Sequence, residues 1–127
     1  MNATPGPTDR QYVTTNEVVR GILERLAADQ VDEAAQLYSH CAEDIGFLLM
    51  RKAPRERPLQ ARLARMFIKA KDYEKSALVL EANEEYRRAA ELYERTDQYE
   101  QAAEMWAKVG DTPRAAHCFE KAGHWQP

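Results

Sequence analysis

The sequence predicts an all-α protein, an α–α superhelix of about eight short antiparallel helices, and three observations carry that prediction. The first is a strict 13-residue repeat: Tyr73, Tyr86, Tyr99, Thr112 and Trp125 stand one unit apart, in a frame reaching back to Gln60. Self-similarity at a fixed period means one structural module stacked in series. The second is the spacing inside a unit, where apolar side chains fall at positions 1, 4, 5, 7, 8 and 11. That is the i, i+3, i+4, i+7 stripe of one helix face, and a strand would alternate instead. The third is punctuation at the unit junctions. Gly110 and Gly123 suit left-handed C-terminal caps, Asp72 and Asp111 suit N-caps, and Pro113 falls in a first turn.

The unit has a packing logic. Position 4 is Leu63, Ser76, Ala89, Ala102 and Ala115; position 5 is always alanine, at Ala64, Ala77, Ala90, Ala103 and Ala116. Position 8 is large: Phe67, Leu80, Tyr93, Trp106 and Phe119. Small residues let helix axes approach, and the ring of the adjacent unit fills the remaining space. Tyr73, Tyr86 and Tyr99 join these as residues expected to hold the stack. In the unit at Tyr86 the pattern turns Tyr86, Ala89, Ala90, Leu92 and Tyr93 inward, and Arg87, Arg88, Glu91, Glu94 and Arg95 toward water. Two or three linking residues per junction require antiparallel neighbours.

Ahead of the regular units, Thr14 with Glu17 forms a capping-box pattern, followed by Val18, Val19, Ile22, Leu23 and Leu26 on one helix face. A second helix is expected from Val31 to Cys41 and a short third from Asp44 to Lys52, ended by Ala53-Pro54 because the residue before proline disfavours helix. Pro54–Arg57 reads as the longest break. Five units then follow from Pro58 to about Ala122, giving eight helices in four hairpins. Residues 1–13, with Pro5, Gly6 and Pro7, read as a disordered leader, and residues 14–127 as one domain in two parts, 14–53 and 58–122.

These units resemble the second helix of a tetratricopeptide repeat, whose signature is aromatic-x-x-Ala-x-x-x-aromatic-x-x-Ala. The matching runs are Tyr86, Ala89, Tyr93, Thr96; Tyr99, Ala102, Trp106, Val109; and Thr112, Ala115, Phe119, Ala122. An earlier copy, Val31, Ala34, Tyr38, Cys41, begins 29 residues before Gln60, two units plus three residues. Ordinary tetratricopeptide repeats recur at about 34 residues; here every helix carries the half-motif, and the Trp-x-x-Leu-Gly-x-x-Tyr pattern of a normal first helix is absent. The resemblance implies a TPR-like solenoid and a protein-binding scaffold, as in compressed arrays of trafficking scaffolds and bacterial regulatory proteins.

Composition bounds the rest. A net charge of −3 supplies no global field for nucleic acid or an anionic membrane. The longest apolar stretch, Ile45–Met50, is too short to span a bilayer. Cys41 and Cys118 read as buried free thiols of a cytoplasmic protein. Neither a glycine-rich phosphate loop, a nucleophile elbow nor a His-x-x-x-His or Cys-x-x-Cys pair is present. His40-Cys41 and His117-Cys118 lie too far apart in an elongated stack to share zinc, so no metal or other cofactor is expected.

The expected function is that of a non-enzymatic adaptor binding a peptide or helical segment of another protein. Unit positions 3 and 10 place Arg62/Lys69, Arg88/Arg95 and Arg114/Lys121 on alternate helices as a basic stripe suited to carboxylates. A patch of Ile45, Phe47, Leu48 and Met50 is an alternative docking place, with core packing as the competing role. Charge shifts along the chain: Arg51 to Lys75 holds nine basic and three acidic residues, Glu81 to Lys108 eight acidic and four basic. A regulatory or self-assembling module, associating through the C-terminal end where Trp125 opens another unit, is the second reading. RNA binding comes third, opposed by the acidic charge.

Overall fold

The computed structural model describes residues 14–123. The proposed leader, His124 and Trp125 lie outside them. Eight helices fill the described residues: α1 (Thr15–Ala27), α2 (Val31–His40), α3 (Gly46–Lys52), α4 (Arg57–Lys69), α5 (Tyr73–Ala82), α6 (Tyr86–Arg95), α7 (Tyr99–Lys108) and α8 (Thr112–Lys121). No strand occurs among the described residues, and the chain is an all-α superhelix.

The 13-residue period has a concrete origin. Helices α5 to α8 are ten residues each, and three residues join each to the next. Those three are a C-cap, a left-handed residue and the N-cap of the following helix. The left-handed residues are Lys71 (φ 64°), Glu84 (φ 62°), Asp97 (φ 59°) and Gly110 (φ 81°), with Gly123 (φ 80°) in the same place after α8. Two backbone bonds close each junction: Lys71 N–H donates to Ile68 and Asp72 N–H to Phe67, and Gly110 to Ala107 and Asp111 to Trp106 repeat the pattern. This is the Schellman arrangement, which satisfies carbonyls orphaned at a helix end. Asp72 and Asp111 cap the next helices by accepting from Lys75 N–H and Arg114 N–H. Thr14 and Glu17 form the reciprocal capping box of α1.

Helices α4 through α8 pack each on the next, whereas α3 leaves the series. It lies against α1 and α5 while α2 packs directly on α4, so the expected four successive hairpins are replaced by a stack with one helix set aside. This explains the offset of 29 residues: α2 and α4 are spatial neighbours, and the rings of Tyr38 and Phe67 meet edge-on at 5.2 Å. The longest connection is consequently 41–45, between α2 and α3, and not the break after Pro54. Helix α3 starts at Gly46, two residues later than expected, because Asp44 stays outside and accepts from Gly46 N–H.

The core runs the length of the stack. Ala64, Ala77, Ala90 and Ala103 are buried, as are Phe67, Leu80, Tyr93 and Trp106. Ala116 departs from the pattern: it is exposed on α8, the last described helix. Tyr73, Tyr86 and Tyr99 are half-buried against the core, as is Phe119. Position 8 also reaches back polar-end first. The Tyr93 hydroxyl donates to Glu81 (2.8 Å) and the Trp106 indole N–H to Glu94, each 12 residues earlier. Glu94, expected in water, is therefore half-buried, because a buried indole N–H needs an acceptor. Ser76 follows the same rule, donating to the Ala64 carbonyl at 2.8 Å.

Candidate partner-binding surface

The six basic stripe residues each have a place in the packing. Arg62, half-buried on α4, donates to the Leu26 carbonyl (3.0 Å) and pairs with Asp29 (3.3 Å), clamping the α1–α2 turn. Lys69 pairs with Asp32 of α2 at 3.0 Å. Arg88 pairs with Glu85 at 3.1 Å in the first turn of α6. Arg95 and Lys121 lie over the rings of Tyr73 (4.5 Å) and Tyr99 (5.1 Å). Arg114 pairs with Asp111 (3.5 Å) and lies 4.7 Å from the centre of the Trp106 ring.

Magnitudes separate these roles. An exposed ion pair is worth about 0–1 kcal/mol, so a partner carboxylate can displace it. Lys69 and Arg88 are of this kind. Arg62 is bound to a backbone carbonyl and is the least available of the six. Arg95, Lys121 and Arg114 face rings whose loss would loosen the stack. Two guanidiniums converge at one ring, since Arg87 also lies 5.6 Å from Trp106. Spacing gave no sign of Arg87, which occupies unit position 2.

On α5, Lys75 departs from the exposed position-3 residues Arg88, Gln101 and Arg114. It is buried at 8 % relative exposure and paired with Asp72 (3.2 Å) and Asp44 (3.4 Å). Burial works against its charge, but the hydrogen bond and field of Asp72, joined by Asp44, outweigh that and raise its pKa. Tyr38 donates to the same Asp72 carboxylate at 2.6 Å. Burial and that hydrogen bond push the Tyr38 phenol up. Gly46 lies close beneath this group: a Cβ there would run into the Lys75 side chain and the Tyr38 hydroxyl, which would have to shift. The Lys75 ammonium also sits 4.9 Å from the centre of the Phe47 ring.

The alternative docking patch divides accordingly. Ile45 and Leu49 are buried, Leu48 and Met50 are half-buried, and Phe47 stays 54 % exposed. Of the two thiols, Cys118 is buried and Cys41 only partly so, because Cys41 terminates α2 instead of lying within it. Burial, with Glu94 nearby, pushes the Cys118 thiol up and makes it a poor nucleophile.

An open groove runs beside α1. Val19, Leu23 and Ala27 form one wall, Pro54 and Leu59 the other, and its volume is about 740 Å³. A second cleft of about 420 Å³ shares Ala27 and Leu59 and continues it to Glu56 and Pro58. None of the described helices is long and apolar enough to cross a membrane. Comparison with family models, with curated proteins and with solved structures finds no match for this chain.

Proposed function

We propose that the protein is a non-enzymatic, TPR-like adaptor that holds a peptide or helical segment of another protein. The observation carrying this reading is the serial presentation of one helix: four ten-residue helices with buried inner positions and charged outer ones. Such a surface offers repeated, similar contacts and suits a long, thin ligand. Lys69 and Arg88 are its best carboxylate contacts, because their present ion pairs are exposed and weak. Arg62, Arg95, Arg114 and Lys121 contribute charge while bracing the fold. The ligand is a protein segment, with no small-molecule substrate, and a cytoplasmic setting fits the unpaired thiols.

The test is capture of partners from the source cell by the wild-type chain and by Lys69→Glu/Arg88→Glu. The double reversal is expected to abolish capture of the partners the wild type retains, with helicity unchanged. Recovery of the same partners by both would remove these residues from the site.

A second reading, a self-assembling or regulatory module, draws on one observation. Ala116 is exposed where the equivalent Ala64, Ala77, Ala90 and Ala103 are buried. Light scattering over a range of concentrations tests it: a rising mass supports self-association, and a constant monomer mass rejects it.

A further inference from the structure

We infer that the groove beside α1 is a seat for one amphipathic helix of a partner protein, bearing an apolar stripe and unlike charges at its two ends. The inference rests on the adaptor reading and adds to the basic stripe a second seat, with the kind of segment it takes.

Shape gives the first half. Asn16, Val19, Leu23 and Ala27 recur at helical spacing along one side of α1 and line the groove from end to end. At about 1.5 Å per residue this face is roughly 16 Å long, the length of about 11 helical residues. Interior helices of the stack are covered by the helices before and after them, so a helix is the shape this kind of surface accepts. The floor is apolar: Val19 and Leu59 are buried within it and Leu23 is half-exposed.

Charge gives the second half. The rim carries Arg20 and Lys52 beside the larger groove, and Glu24 and Glu56 toward the Ala27 end. None of these four makes a salt bridge or a side-chain hydrogen bond among the described residues; Arg20 acts on Glu17 of the same helix only through its field, which adds to the Thr14 hydrogen bonds in lowering the Glu17 pKa. Arg62, at the same end as Glu56, is already committed to Asp29 and the Leu26 carbonyl. Arg20 and Lys52 line only the larger groove and Glu56 only its continuation, while Glu24 stands one turn nearer the Ala27 end than Arg20, so these four charges grade from cationic to anionic along the groove and cancel. A lipid surface of one sign gains nothing from such a rim, whereas a bipolar helix satisfies both ends.

The test uses the full chain and synthetic helical peptides of about 14 residues with leucines at i, i+3, i+4 and i+7. One peptide carries two glutamates at one end and two lysines at the other. Two controls carry the same stripe with four glutamates or four lysines. A helix can lie either way round, so bipolarity is the variable and not the order of the ends. The bipolar peptide is expected to bind about tenfold more tightly than either control, and Arg20→Glu/Lys52→Glu to weaken it by about tenfold. These two side chains are surface residues, so the variant keeps its fold, which circular dichroism verifies. A photoreactive residue replacing Asn16 is expected to cross-link to the bipolar peptide.

Equal affinity for all three peptides, or binding of none, overturns the inference. Cross-linking to residues 1–13 of the same chain, or to a second copy, in place of the peptide also overturns it, since the occupant would then be another one. Failure here while the wild-type chain still captures partners removes the groove and keeps the adaptor; a wild-type chain that captures no partner removes the adaptor.

Discussion

Arg95 closes α6 with its guanidinium 4.5 Å from the centre of the Tyr73 ring, which opens α5. The relationship recurs 22 residues apart: Lys108 lies over Tyr86 at 5.0 Å and Lys121 over Tyr99 at 5.1 Å. The end of one helix meets the start of its predecessor only if the two run antiparallel. A cation at unit position 10 is therefore a brace between neighbouring helices as well as a surface charge.

Removing one brace should be measurable without unfolding the chain. Arg95→Gln is expected to cost about 0.5–1 kcal/mol, the range for cation–ring contacts at exposed sites. Urea denaturation checks it. Lys108→Gln should cost a similar amount, because it braces a different ring. No loss in either variant would mean that the cations merely hover over the rings. The result also bears on binding studies, since reversing Arg95 changes the scaffold as well as its charge.

Position 8 separates ring burial from its hydrogen bond. Tyr93 is 2 % exposed and donates to Glu81 at 2.8 Å. Tyr93→Ala leaves a cavity and should cost about 3–5 kcal/mol. Tyr93→Phe keeps the ring and should cost about 1 kcal/mol, the net worth of one hydrogen bond. Equal losses in the two variants would contradict this division; so would unchanged stability of Tyr93→Ala.

The junctions offer a test in which no packing changes. A Cβ on Gly110 would meet nothing within 4 Å, yet its φ is 81°. Gly110→Ala should therefore lose about 1 kcal/mol through backbone strain alone. Glu84 holds the same conformation with φ 62°, so Glu84→Gly should gain about 0.5 kcal/mol, relief of strain exceeding the entropy cost of glycine. Paired denaturation curves decide: a loss in Glu84→Gly would show that its side chain contributes something the geometry does not reveal.

These junctions mark what was legible in the sequence. Gly110 announced a left-handed cap because glycine is the residue that adopts one without strain, and Asp72 and Asp111 announced N-caps. Lys71 and Glu84 adopt the left-handed conformation without any local signal, forced by the same three-residue link, and Asp97 carries only the weak signal of a residue type that tolerates it. The 13-residue frame located the alanine and ring positions, since they answer to a neighbour of identical design. It could not locate α3, whose position depends on contacts with α1 and α5 far away in sequence. The burial of Lys75 was hidden for the same reason: α3 lies against α5, and Lys75 occupies a unit position that is exposed at Arg88 and Arg114. The basic stripe was legible as charge, but its internal partners were not. The groove beside α1 combines α1 with the α3–α4 connection and had no linear pattern.

Lys75 and its surroundings predict how stability responds to alkali. The ordinary lysine value is 10.5, and Lys75 is raised above it in the fold. Tyr38 and Tyr93 are raised above an ordinary value of 10.0, chiefly by burial and then by hydrogen bonds to Asp72 and Glu81. In all three cases the folded chain holds a proton that the unfolded chain releases first. Their stabilisation is complete below the unfolded values and declines as pH rises through the folded ones. The sign is the same for the lysine and the tyrosines, although one is protonated as a cation and the others as neutral phenols. Denaturant midpoints should accordingly fall as pH climbs above about 10. Lys75→Met keeps an apolar stem in place and should flatten part of that slope; adding Tyr38→Phe and Tyr93→Phe should flatten more. A triple variant with the wild-type slope between pH 10 and 12 would show that other groups govern the alkaline transition.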